Sequence, residues 1–97
     1  MNIGKAIQTI RKRKGLKQAD CARLVGISQT SLCNIEVSSS VPNQKNLAKI
    51  CEVLETPQAI LYLLSIEMPD LPEKRRKAFE MIFPTVQKLV FDIVGNG

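Results

Sequence analysis

The sequence predicts an all-α protein, on three observations. Apolar residues recur at helical spacing over most of the 97 positions, glycines stand where short helices end, and no stretch alternates apolar and polar residues as a half-buried strand does. The four aromatics (Tyr62, Phe79, Phe83 and Phe91) leave Leu, Ile, Val and Ala to fill the interior, which suits helices packed on helices. The length supports one core of ordinary size and not two.

The first helix is expected from about Asn2, a capping residue, to Lys14, with Ile3, Ala6, Ile7 and Ile10 on one stripe. Gly15 ends it as a left-handed residue after the last turn. A second short helix spans about Gln18 to Val25, with Ala22 and Val25 facing inward, and Gly26 breaks it. Ile27 is expected to be buried, and Ser28 to cap a third helix reaching Glu36, whose inner edge is Leu32 and Ile35. Ser38–Ser40 forms a polar loop. Pro42 and Asn43 lead into a fourth helix, about Gln44 to Leu54, with Leu47, Ile50, Cys51 and Leu54 as its apolar stripe. Thr56 as cap and Pro57 in the first turn open a fifth, to about Ser65.

Met68–Pro72 reads as a linker, which divides the chain into a body at 1–66 and a helical extension at 67–97. Asp70 and Glu73 have the spacing of a capping box for a helix to about Phe83, and Pro84 is expected to kink or restart it before a last segment from Thr85 to Val94. Gly95, Asn96 and Gly97 are expected to fray.

The formal charge of +5 is placed unevenly. Met1–Val37 holds seven cations (Lys5, Arg11, Lys12, Arg13, Lys14, Lys17 and Arg23) against Asp20 and Glu36, which accounts for the whole excess. The other two thirds are balanced. A basic first third suits a polyanionic partner. The run Lys74–Lys77 reads as a solvated helix face. Three cysteines (Cys21, Cys33 and Cys51), no histidine and no paired C-x-x-C spacing argue against a disulfide framework and a metal site, so no metal or other cofactor is expected. Without a histidine, a phosphate loop or a clustered carboxylate pair, no enzyme chemistry is indicated. No apolar run is long enough for a bilayer and none has the form of a signal peptide, so the expected location is the cytoplasm, away from membranes.

Two short helices joined by a glycine turn, with an apolar residue just after the glycine, set the second helix into a DNA major groove. Ala22 is small where the third helix crosses; Ile27, Leu32 and Ile35 hold that helix so that its first residues project outward. Leu16, Gln18, Ala22, Gly26, Ile27, Ser28, Leu32, Ile35 and Glu36, followed by Pro42, Leu47, Ile50 and Leu54, resemble the pattern of the Cro/C1-type (XRE) helix-turn-helix family, in register from about Ile3 to Leu64. The resemblance implies a five-helix, lambda-repressor-like domain, to which the extension adds one or two helices.

It also implies roles. Gln29, Thr30 and Asn34 occupy the family's base-reading positions, with Cys33 a secondary candidate. Gln and Asn amides match adenine's donor and acceptor, and a threonine methyl fits thymine's. Gln18 resembles the family glutamine that bonds a phosphate and braces the recognition helix; Lys17, Ser31 and Lys45 are further phosphate candidates, with Arg13 or Lys14 behind them. Arg11 and Glu36 resemble the family's partly buried ion pair. Two departures stand out. Cys21 replaces the usual leucine, and Val37–Ser40 lacks the glycine and basic residues that commonly follow the glutamate.

Beyond Asp70 the resemblance stops. Phe79, Ile82, Phe83, Val86, Val90 and Ile93 are too many apolar groups for a free tail. They either fold back on the body or meet a second chain. The second is the expectation, because one helix-turn-helix alone gives too little specificity. The functional expectation is a sequence-specific regulator of transcription, a repressor, bound to double-stranded DNA as a homodimer. The rival is a protein-interaction module, such as an antitoxin or adaptor, acting through the C-terminal helices.

Overall fold

The computed structural model describes residues 1–95; Asn96 and Gly97, two of the three expected to fray, lie outside them. The described residues form helices α1 (Ile3–Arg13), α2 (Gln18–Val25), α3 (Gln29–Glu36), α4 (Gln44–Val53), α5 (Gln58–Ser65) and α6 (Glu73–Val94), with one 3-10 turn at Met68–Asp70. No strand occurs among them.

The caps follow the sequence closely. The side chains of Asn2, Ser28 and Asn43 accept from the backbone N–H groups of Lys5, Ser31 and Asn46, which fixes where α1, α3 and α4 begin. Gly15 (φ 72°) and Gly26 (φ 89°) take the left-handed conformation that ends α1 and α2. At Gly26 the turn is closed by its own N–H and that of Ile27, both donating to the Ala22 carbonyl at 2.9 and 3.0 Å.

The core is Ile7, Ile10, Ala22, Leu32, Ile35, Leu47, Ile50, Leu54 and Leu61 with their smaller neighbours. Helix α1 runs against α5 and α3, while α2 packs on α3 and α4. Ile27, expected to be buried, is half-buried against this core. Cys21 and Cys51 are buried fillers whose thiols burial pushes up in pKa. The Asn2 N–H donates to the Ser65 carbonyl at 2.8 Å, joining the start of α1 to the end of α5.

Three expectations are corrected. Thr56 does not cap α5: the buried hydroxyl donates to the Leu54 carbonyl at 3.0 Å, and Pro57 takes the cap position. Asp70 does not cap α6 either; its carboxylate turns back to accept from the Glu67 N–H at 2.8 Å, which stabilises the 3-10 turn, and α6 starts behind Pro72. Nor does Pro84 restart the last helix, for α6 runs 22 residues through it. Pro84 and Glu80 are both exposed, so the carbonyl that the proline leaves without an N–H partner faces water rather than the core.

The extension folds back on the body. Val90 and Val94 are buried in the common core, and Val86 packs against it. Lys14 Nζ donates to the Val94 carbonyl at 2.7 Å, and the Arg13 guanidinium lies 4.0 Å over the Phe91 ring. Phe79 and Phe83 stack on one another, 4.5 Å between centroids. Ile82, Leu89 and Ile93 remain outside, 58%, 57% and 70% exposed.

Glu55 gives a direct test of local strain. It follows the last turn of α4 at φ 52°, where a side chain crowds its own backbone. Glu55→Gly is expected to raise stability by about 0.5–1 kcal/mol in chemical denaturation, and a fall would contradict the strain.

Candidate nucleic-acid interface

The interface is built around a buried charge. Arg11 on α1 and Glu36 at the end of α3 are 6% and 4% exposed. Arg11 Nε lies 2.6 Å from Glu36 Oε2, and Nη2 donates to Oε1 at 3.0 Å. This two-point contact raises the Arg11 pKa against the opposing effect of burial, so the guanidinium stays charged. The remaining Nη1 donates to the Leu16 carbonyl at 2.8 Å, which fixes the α1–α2 turn.

From Glu36 the network runs outward. Gln18, in the first turn of α2, donates from Nε2 to Glu36 Oε1 at 3.1 Å. Its carbonyl oxygen then faces the exposed Gln29, whose Nε2 approaches to 3.5 Å. The buried pair therefore orients the Gln18 amide, and the Gln18 amide in turn orients Gln29 at the start of α3. Helix α2 carries no side-chain cap, so its first N–H groups are left without a side-chain partner, as at helix starts that favour an anion.

Gln29, Thr30 and Asn34 are exposed on α3, and Cys33 is half-buried beside them. Leu32 and Ile35, on the opposite edge, are buried, so the helix is anchored on one side and open on the other. Ser31 is engaged in the cap of α3: its N–H donates to the Ser28 hydroxyl at 3.0 Å and the two hydroxyls meet at 2.9 Å. Lys17 and Lys45 are exposed at the starts of α2 and α4. Arg13 and Lys14 also contact α6, through Phe91 and the Val94 carbonyl, a use of basic residues that no local spacing reveals.

The serine loop is not loose. The N–H groups of Ser39 and Ser40 donate to the Asn34 carbonyl at 2.9 and 3.2 Å, and the Ser38 hydroxyl donates to Asn2 Oδ1 at 2.9 Å. It closes the C-terminal end of α3 with hydroxyl and backbone groups where the expected glycine is absent.

The Helix-turn-helix family profile matches residues 7–57, more than half of the chain. The chain belongs to the Cro/C1-type helix-turn-helix family. It is a sequence-specific DNA-binding regulatory protein. It is also similar to the ImmF control region 10 kDa protein of Bacillus phage phi105, 32% identical over 66 residues that cover 68% of this chain and 73% of the relative. No solved structure matches it. The match spans the network from Arg11 to Glu36 and ends before α5 begins, so α6 lies outside the family's own pattern. Among the described residues no helix is long and apolar enough to cross a membrane, and no three metal-ligating side chains cluster.

Proposed function

We propose that this helix-turn-helix protein is a transcriptional repressor that acts in the cytoplasm as a homodimer, its five-helix body of lambda-repressor type placing two α3 helices in successive major grooves of a palindromic operator about 34 Å apart. The observation that carries the reading is the amide pair of Gln18 and Gln29, held by the buried Glu36 at the exposed start of an anchored helix. Gln29, Thr30 and Asn34, with Cys33 beside them, read bases; Gln18, Lys17, Ser31 and Lys45 meet phosphates. The similarity to a protein of a phage control region favours repression as the outcome of binding.

The test begins with selection of bound sequences from randomised duplexes, followed by fluorescence anisotropy over a salt series. Selective binding that weakens steeply with salt is expected, because cations displaced from the phosphates return as salt rises. Gln29→Ala is expected to cost about 1–3 kcal/mol of discrimination at one base position while unfolding normally. Unchanged base preference would remove Gln29 from the reading set, and failure to bind any duplex at low salt would overturn the reading as a whole.

A further inference from the structure

Helix α6 has two apolar sides, and only one of them is used within the chain. Val86, Val90 and Val94 face the body. On a stripe centred about a quarter-turn around the helix, Ala78, Ile82, Thr85, Leu89 and Ile93 follow in steps of four, three, four and four. All five are exposed, and Met81 beside them is 73% exposed. A stripe of this period with large aliphatic residues near both ends is the pattern of a helix that lies along another helix.

We propose that the occupant of this stripe is α6 of a second copy, laid antiparallel across a two-fold axis near Thr85 and Val86. This rests on the homodimer reading above and gives it a specific face. Under such an axis residue i meets residue j and j meets i. One register pairs the four apolar positions of the stripe, with Thr85 next to the axis: Ile82 falls opposite Leu89 of the other copy, and Ala78 opposite Ile93, a small residue against a large one at each end. The inward set of Val86, Val90 and Val94 is already covered by the same chain. Of the residues expected at a dimer contact, Ile82 and Ile93 therefore form it, while Val90 does not.

Charge supports the antiparallel sense. Lys74, Arg75, Arg76 and Lys77 crowd the first turns of α6, where the helix dipole is positive, and Asp92 sits in the last turn, where it is negative. With Glu73 in the first turn and Glu80 further on, the N-terminal half of the helix is still net basic, while Lys88 and Asp92 leave its C-terminal part neutral. Arg76 is turned to the Leu71 carbonyl at 3.1 Å, and among the described residues Lys74, Arg75 and Lys77 enter no ion pair. An antiparallel copy brings the carbonyl-bearing, Asp92 end of one helix beside the basic end of the other, twice. A parallel copy would set like charges together. The 22 residues of α6 are about 33 Å long, so the stripe from Ala78 to Ile93 runs along most of the helix.

Light scattering coupled to gel filtration on the full chain is expected to give twice the chain mass, and Leu89→Lys or Ile82→Lys to weaken the dimer by at least tenfold with unchanged circular dichroism, since both residues are exposed in the single chain. The register is tested in a Cys33→Ser background. Chains carrying Ile82→Cys, mixed with chains carrying Leu89→Cys and oxidised with diamide, are expected to form mixed disulfides in excess over either like pair. Preferential 82–82 cross-linking would overturn the antiparallel register. A dimer that persists in both lysine variants would overturn this face while leaving the homodimer reading intact, and a monomer in the unsubstituted chain, free and on selected DNA, would overturn both.

Discussion

Replacing Glu36 by alanine is expected to destabilise the fold by about 3 kcal/mol or more. The substitution removes a carboxylate that accepts from Arg11 Nε, Arg11 Nη2 and Gln18 Nε2, and leaves a guanidinium with 6% exposure beside an apolar core with only the Leu16 carbonyl as partner. The loss comes less from the missing attraction than from stranding a buried charge. Urea unfolding followed by circular dichroism measures it, and an unchanged midpoint would refute the structural role of the pair. Exchange of both partners for apolar residues of similar volume, Arg11→Met with Glu36→Leu, is expected to restore much of the stability, because no charge is then left buried. DNA binding is not expected to return with it, since Gln18 loses the group that orients its amide.

Gly4→Ala is expected to cost about 2–3 kcal/mol although it adds one methyl group. Helix α1 crosses the end of α3 at Gly4, and a Cβ there would overlap the Ile35 carbonyl oxygen and lie 3.1 Å from that of Glu36. The obstacle is backbone, not the end of a flexible side chain, so one helix must move. Alanine's better helix propensity returns only about 1 kcal/mol, and the overlap wins. Chemical denaturation of the variant decides this: equal or greater stability would show that α1 and α3 do not approach so closely. Because the displaced carbonyls belong to Ile35 and Glu36, the same variant is expected to bind selected DNA more weakly.

The first five helices were readable because their ends are written in short-range chemistry. Asn2, Ser28 and Asn43 cap N-termini through bonds that reach three residues ahead, and Gly15 and Gly26 mark C-termini by a conformation that side chains resist. The scaffold of the helix-turn-helix was readable for the same reason. Thr56 was misread because its sequence neighbours make it a cap, whereas its burial turns the hydroxyl to Leu54. The two sides of α6 could not be separated from sequence: Val90 and Ile93 are both apolar and close in the chain, and which of them is buried is decided by parts of the body far earlier in the sequence. The same distance hid the parts played by Arg13 and Lys14, which spacing places among the basic residues of a DNA-binding region and the fold assigns to Phe91 and Val94. The Gln18–Gln29 contact was invisible for another reason, since a family pattern gives positions and not which amide group turns to which neighbour.

The anchoring of α3 along one edge only has an evolutionary consequence. Leu32, Ile35 and Glu36 tie the helix to the body, while the side chains of Gln29, Thr30 and Asn34 are exposed and lie outside the buried core. Substitutions at those three outward positions can drift at little risk to folding, so a lineage can acquire new operators by point changes on a constant chassis. Gln18 is the exception. Its amide serves the buried carboxylate on one side and Gln29 on the other, and a change there alters inheritance of the scaffold and of the recognised sequence in a single step.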